Sequence, residues 1–384
     1  MLPSVAIIGT RGYPSYYGGF ETAVRKLAPF LADEGWDVTV YSRPGATRPD
    51  DPSRDPRVRV VETNGLETKS FSTLSYGYTA VRHAVSQRPD VALVMNVANG
   101  YWLPLLKAAG IPTLVNVDGI EWDRAKWGRL AKWVFHNGAK WTARHATRLV
   151  FDANEIGRRW HDEFGLDGEF IPYGGDFIDE ELPLEPGLRH RQYALMVARF
   201  VPENTVAEFL EAAPRIAESA DVVIVGSSGY GGDLDERAQA LADRYERVRW
   251  LGHVSDDRRL HSLWQHAGVY FHGHSVGGTN PALVQAMALG APVVARDTAY
   301  NREVLGTGEF VEPKAEDIAE TIIKALADEA GLEIQGQANK RRARQRYSWD
   351  GVNSSYTAAL SALISVSAEV PEKDFEDASE LLHP

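Results

Sequence analysis

The chain has no cysteine among its 384 residues. Disulfides, thiolate metal sites and a cysteine nucleophile are therefore excluded. A long apolar run is also missing, and no segment approaches the length of a membrane-spanning helix. The N-terminus, MLPSVAIIGTRG, carries no basic leader, and its apolar stretch is too short for a signal peptide. Positive charge is not in excess either. The 41 Lys and Arg face 53 Asp and Glu, a net charge of −12, which argues against a nucleic-acid partner. The expectation is a cytoplasmic protein, with 44% hydrophobic and 24% charged residues in the globular range. Its length suits two domains better than one core.

Short β-branched runs alternate with helical patterns. Strands are expected at Ser4–Gly9, Asp37–Tyr41, Asp90–Met95, Thr113–Val117 and Arg148–Phe151. They resume at Tyr193–Ala198, Asp221–Val225, Val248–Leu251, Val269–Phe271 and Pro292–Ala295. Such alternation implies α/β architecture with parallel sheets covered on both faces. The stretch Asp176–Arg191 has no apolar period and is rich in Pro, Glu and Gly, so it reads as a linker. Two doubly wound, Rossmann-like domains follow, 1–176 and 190–348, facing each other across a cleft. A last helix, Trp349–Val366, is expected beyond them, then an acidic tail at 371–384.

Two glycine-rich loops stand out. The first, GTRGYPSYYGGFET, lies between the first strand and first helix and puts Gly18 and Gly19 near a helix N-terminus, with Arg11 adding charge. The second, HGHSVGGTNPALVQAM, brings Gly277, Gly278 and Thr279 to the start of a helix, with Asn280 as N-cap and Pro281 in the first turn. Free amides at a helix N-terminus suit a phosphate or diphosphate. The spacing is not the dinucleotide fingerprint, which sets a dehydrogenase aside. An ordinary strand–turn–helix, or a flexible surface loop, is the plainer alternative for each.

Taken together, GTRGYPSYYGGFET, VNVDGIEWDRAKWG, VGGTNPALVQAM and AYNREVLG resemble the retaining, nucleotide-sugar-dependent glycosyltransferases of family 4, and most closely the bacterial branch that holds rhamnosyltransferases of polysaccharide synthesis. The resemblance runs from Ser4 to about Tyr356. It implies a GT-B fold, with the nucleotide on the second domain and a glycan or lipid-linked acceptor mainly on the first. It also implies a last helix returning to the first domain and no metal or other cofactor. The donor would be a dTDP-, UDP- or GDP-linked sugar.

Residue by residue, the resemblance makes Arg199 the diphosphate-binding arginine, although a surface arginine at a strand end would look the same. The family lysine five positions on is replaced here by Asn204, whose hydrogen bond would stand in for the charge unless Arg11 supplies it. Two family glutamates, eight positions apart, correspond to Gly277 and Gln285. The first would contact the donor sugar and the second the ribose. An amide at Gln285 is compatible with a dTDP-sugar, whose deoxyribose has fewer hydroxyls. Asp118 falls where family members carry a histidine beside the donor sugar, so it would orient the acceptor hydroxyl or balance charge at the anomeric carbon. Capping a nearby helix, together with Glu121, is an equal alternative. His274 would line the donor site, and HGH otherwise reads as half a metal site without a third ligand. Asn301–Glu303 would lie near the nucleotide or merely start a helix.

Residues 124–148 hold seven Lys or Arg and no Asp or Glu, with Trp122, Trp127, Trp133, Phe135 and Trp141 in and around them. This suits peripheral contact with the inner membrane face or a lipid diphosphate, or else a solvated basic face over core tryptophans. Because Gly277, Gln285 and Asn204 depart from the family pattern, a non-catalytic sugar-nucleotide-binding or scaffold protein stays open beside the enzyme.

Overall fold

The computed structural model describes residues 2–16, 18–66, 72–124 and 127–369. The acidic stretch 371–384 lies outside them. Two parallel sheets organise the chain. The first contains β1 (Ser4–Ile8), β2 (Asp37–Ser42), β3 (Arg59–Glu62), β4 (Val91–Met95), β5 (Thr113–Asn116), β6 (Arg148–Phe151) and β7 (Glu169–Phe170), in the order β3-β2-β1-β4-β5-β6-β7. Its helices are α1 (Gly19–Asp33), α2 (Ser72–Gln87), α3 (Leu103–Ala108), α4 (Arg129–His145) and α5 (Asn154–Phe164).

The second sheet contains β8 (Tyr193–Val197), β9 (Asp221–Val225), β10 (Val248–Trp250), β11 (Val269–His272), β12 (Val293–Arg296) and β13 (Glu309–Val311), in the order β10-β9-β8-β11-β12-β13. Around it lie α6 (Val206–Ala217), α7 (Asp233–Arg244), α8 (Asp257–His266), α9 (Pro281–Ala288), α10 (Ala299–Leu305), α11 (Ala315–Leu326) and α12 (Glu329–Arg346). Central strands such as β4, VALVM, are buried along their whole length, as expected where helices cover both faces.

Strand order reverses between β1 and β4 in one sheet and between β8 and β11 in the other. Crevices at the C-terminal ends of such neighbours are where ligands bind in open α/β sheets. The final helix, α13 (Trp349–Glu369), leaves the second domain and packs against α1. Its Trp349, Val352, Tyr356, Leu360 and Leu363 join the core formed by Val24, Leu27, Leu31 and Leu93 of the first domain. The chain thus passes between domains twice, and the passages touch. Gly175 and Ser348 form a parallel bridge, with the Gly175 amide donating to the Tyr347 carbonyl at 2.8 Å.

Candidate active site between the two sheets

On the second domain, Arg199 follows β8 and His274 follows β11, so both sit at the reversal of strand order. Arg199 is exposed, and its guanidinium forms no ion pair among the described residues. Asn204 is buried and donates through Nδ2 to the Arg199 carbonyl at 2.9 Å. It braces the turn that presents Arg199.

The HGH pair stacks, with rings 4.4 Å apart and nearly parallel. Among the described residues, no three His, Asp or Glu side chains cluster as metal ligands. Burial, with Arg199 and Arg124 nearby, pushes His274 down to about 3, so its imidazole is neutral. Burial, followed by His274, likewise drives His272 well below the ordinary range.

The following turn has separate reasons for its two glycines. Gly277 has φ +105, a conformation side chains rarely adopt. Gly278 is needed because a Cβ there would lie 2.0 Å from Asp152 Oδ1 of the first domain. Its close approach is therefore to a carboxyl group, where the sequence suggested a phosphate. Thr279 also reaches across, its amide (3.2 Å) and hydroxyl both donating to the Asp152 carbonyl. Asn280 caps α9, accepting from the Ala282 amide at 3.0 Å, and Asn301 Nδ2 braces the loop by donating to the His274 carbonyl at 2.9 Å.

Gln285 is engaged by the backbone between the domains. Its Oε1 accepts from the Asp176 amide and its Nε2 donates to the Asp176 carbonyl, both at 2.9 Å. Asp176 also pairs with Lys26 of α1 at 2.5 Å. Gln285 therefore clamps the passage between domains. A glutamate could make only one of its two hydrogen bonds.

On the first domain, Gly18 caps α1, and Gly19 begins it against the Tyr173 ring, 3.2 Å from where a Cβ would stand. The Arg11 amide donates to the buried Glu21 carboxylate at 2.9 Å, which ties the loop to the first turn of α1. Asp118 follows β5 in a left-handed conformation, φ 63. Its Oδ2 accepts from Asn96 Nδ2 at 3.0 Å, and its amide donates to Asn116 Oδ1. It caps no helix. Glu121 is buried, 2.7 Å from Arg124 Nε and accepting from the Trp127 indole at 2.7 Å.

Four groups in the cleft carried no signal strong enough to single them out for this role from sequence: Arg124, Asp152, Tyr173 and Glu203. Asp152 follows β6 and is 3% exposed. Burial above all, then the Asp118 charge, pushes its carboxyl up to about 8. Burial, followed by Asp118 and Asp152, raises the Tyr173 phenol well above its ordinary range. Burial opposes the charge of Arg124, but Glu121, Asp118, Glu203 and Asp152 outweigh it and hold the guanidinium protonated. A polar residue directly after a buried parallel strand was the one available signal, and it applied to Asp152.

Glu303 crosses the interface as well. It accepts from the Asn154 amide, the Asn154 side chain and the Glu155 amide, capping α5 from the other domain. Arg302 pairs instead with Asp297. The basic stretch divides. Trp122 packs near Trp160 and Phe164, and Trp127 against Phe135, whereas Trp133 is 60% and Leu130 71% exposed on α4. No described helix is long and apolar enough to cross a membrane.

Residues 18–174 match the family described as glycosyl transferase 4-like domain, and residues 183–346 the family described as glycosyl transferases group 1. The chain is built from these two glycosyltransferase domains in that order, in the GT-B arrangement. It is 32% identical over 213 residues to phosphatidyl-myo-inositol mannosyltransferase of Mycolicibacterium smegmatis, covering 52% of this chain and 53% of that protein. The Mycobacterium leprae protein of the same name is 30% identical over 211 residues, 52% of this chain and 55% of its own. The chain spans about half the length of the curated relatives it matches. These relatives are mannosyltransferases, so they support the glycosyltransferase assignment but not the rhamnosyltransferase branch. In fold, it superposes on sucrose-phosphate synthase from Thermosynechococcus elongatus with a TM-score of 0.76, at 20% identity and over 95% of this chain and 100% of the other. Anabaena HepE in complex with UDP and glucose superposes at 0.72, with 15% identity, over 94% and 100%.

Proposed function

We propose that the chain is a retaining glycosyltransferase that moves a sugar from a nucleotide diphosphate to a lipid-linked or polysaccharide acceptor. The observation that carries this reading is the convergence at the β8/β11 reversal. An exposed arginine with no ion pair among the described residues and an amide-bearing turn into α9 lie at this reversal, and the turn meets the segment after Asp118 across the domain boundary. Departure of a nucleoside diphosphate builds negative charge, which a guanidinium and preorganised amides stabilise in a cleft that excludes water. Asp118, held by Asn96, orients the acceptor hydroxyl or balances charge at the anomeric carbon. In a front-face displacement, the leaving phosphate takes the acceptor's proton.

The sugar is proposed as rhamnose on the N-terminal motifs or mannose on the relatives' activity. Gln285 no longer favours dTDP, because its amide is committed to Asp176. The exposed Trp133 and Leu130, with Arg129, Lys140 and Arg144 on the same helix, support a lipid-linked acceptor at an anionic surface.

The test is incubation with dTDP-rhamnose, GDP-mannose and UDP-glucose, following nucleoside diphosphate release and the anomeric configuration of the product. Consumption of one donor with retention is expected. Tight binding without turnover of any donor would favour a non-catalytic nucleotide-sugar-binding protein, a reading supported by the commitment of Asn204 and Gln285 to structural bonds.

A further inference from the structure

We propose that Arg124, from the first domain, is a second donor-binding residue and contacts the diphosphate held on the second domain. The inference rests on the nucleotide-sugar reading above. Arg124 lies in the segment after β5, and its side chain is 14% exposed. Its Nη2 lies 3.1 Å from where a Cβ on Gly119 would stand and 3.9 Å from the corresponding point on Gly277. The same guanidinium therefore borders the backbone of both domains. A Cβ on Gly119 would itself lie 3.4 Å from the Gly277 Cα, so the chains are close here.

Arg199 and Arg124 both act on the His274 imidazole and help suppress its protonation. They approach it from different domains. Positive charges contributed by two domains to one region repel each other, and an anion bound there is attracted by both. A diphosphate at the Gly277–Asn280 turn is such an anion.

Neither Asn204 nor Gly277, where the second domain departs from the family pattern, supplies the second cation. Asn204 is committed to the Arg199 carbonyl, and Gly277 has no side chain. Arg124 is tied by Glu121 on its Nε side, and among the described residues neither of its Nη groups donates a hydrogen bond. Its Nη edge is thus presented with the fixed, planar geometry that suits a phosphate. Asp118 and Glu203 also lie within its field. They reduce what a diphosphate gains from Arg124, so its removal should cost less than removal of Arg199.

Binding of UDP, GDP and dTDP, and of the three monophosphates, to the full chain by calorimetry tests this. R124A removes the cation beside the buried Glu121, so E121Q/R124M is measured beside it, with thermal melts of both. Both variants are expected to bind the preferred diphosphate about tenfold more weakly and its monophosphate within about twofold of wild type. Diphosphate affinity within twofold of wild type in E121Q/R124M overturns the proposal, and so does an equal loss for mono- and diphosphate. If R199A loses affinity while the Arg124 variants keep it, only this proposal fails. If the wild-type chain binds none of these nucleotides, the donor-site reading fails with it.

Discussion

The C-terminal edges of the two sheets face each other with different chemistry. The second domain offers an exposed arginine, neutral imidazoles and a turn of backbone amides. The first offers carboxyl groups (Asp118, Glu121, Asp152 and Glu21), nearly all of them tied to amides or to Arg124. One edge is therefore suited to an anion and the other to hydroxyl groups and developing positive charge. Glycine shows the same contrast. Gly277 is required by its backbone angle, whereas Gly278 is required by a carboxyl group from the opposite domain. Adjacent glycines in one motif thus serve different purposes.

Removing the cationic feature of the second edge should have the largest effect. R199A is expected to lower donor turnover by about a hundred- to a thousandfold, measured as initial rates of nucleotide release. Rates within a few-fold of wild type would detach Arg199 from the chemistry. Next, G278A forces a Cβ onto the Asp152 carboxyl and should cost about 1–3 kcal/mol of stability. Combining it with D152A should recover much of that loss in thermal unfolding, and an absence of recovery would show that the clash lies elsewhere. Q285E keeps the bond to the Asp176 amide but sets a carboxylate oxygen against the Asp176 carbonyl, at a cost of about 1–2 kcal/mol. Thermal unfolding of Q285E checks this, and an unchanged melting temperature would show that the clamp on Asp176 carries no stability.

Asp152 predicts a pH dependence. Its folded value of about 8 lies above the unfolded value of about 3.9, so the folded state holds the extra proton between them. Asp152 therefore erodes stability as pH rises from about 4 to about 8, with no further loss above. Relative to wild type, D152N should gain in melting temperature across that window, and a constant difference from pH 5 to 8 would contradict the burial argument. The smallest effect on stability belongs to α4. L130S/W133S should change it by less than about 0.5 kcal/mol yet weaken pelleting with anionic vesicles. Unchanged pelleting would detach the lipid reading from this helix.

Apolar periodicity made ten of the thirteen strands legible, because most of them are apolar runs buried between helices, as in β4 and β9. It passed over β3, β7 and β13, short strands such as RVVE and EF whose polar or partly exposed residues break the run. The loops at the strand ends were legible as loops, and Arg199 could be placed by its position after YALMVA. What Asn204 and Gln285 do was not legible. Their residue types allow ribose or phosphate contacts, but their partners were decided by folding, in one case 109 positions away. Arg124 was visible only as one charge in a basic stretch, since nothing local to it indicates that Gly277 lies opposite.

The bridge between Gly175 and Ser348 bears on how this chain could be recombined. Because α13 completes the first domain's core, residues 176–348 are topologically an insertion, with entry and exit joined by one hydrogen bond. A chimera made by fusing halves end to end would strip Trp349, Val352, Tyr356, Leu360 and Leu363 from the first domain's core. A cassette exchanged at both junctions together would leave that core intact, allowing one first-domain frame to be paired with different second domains.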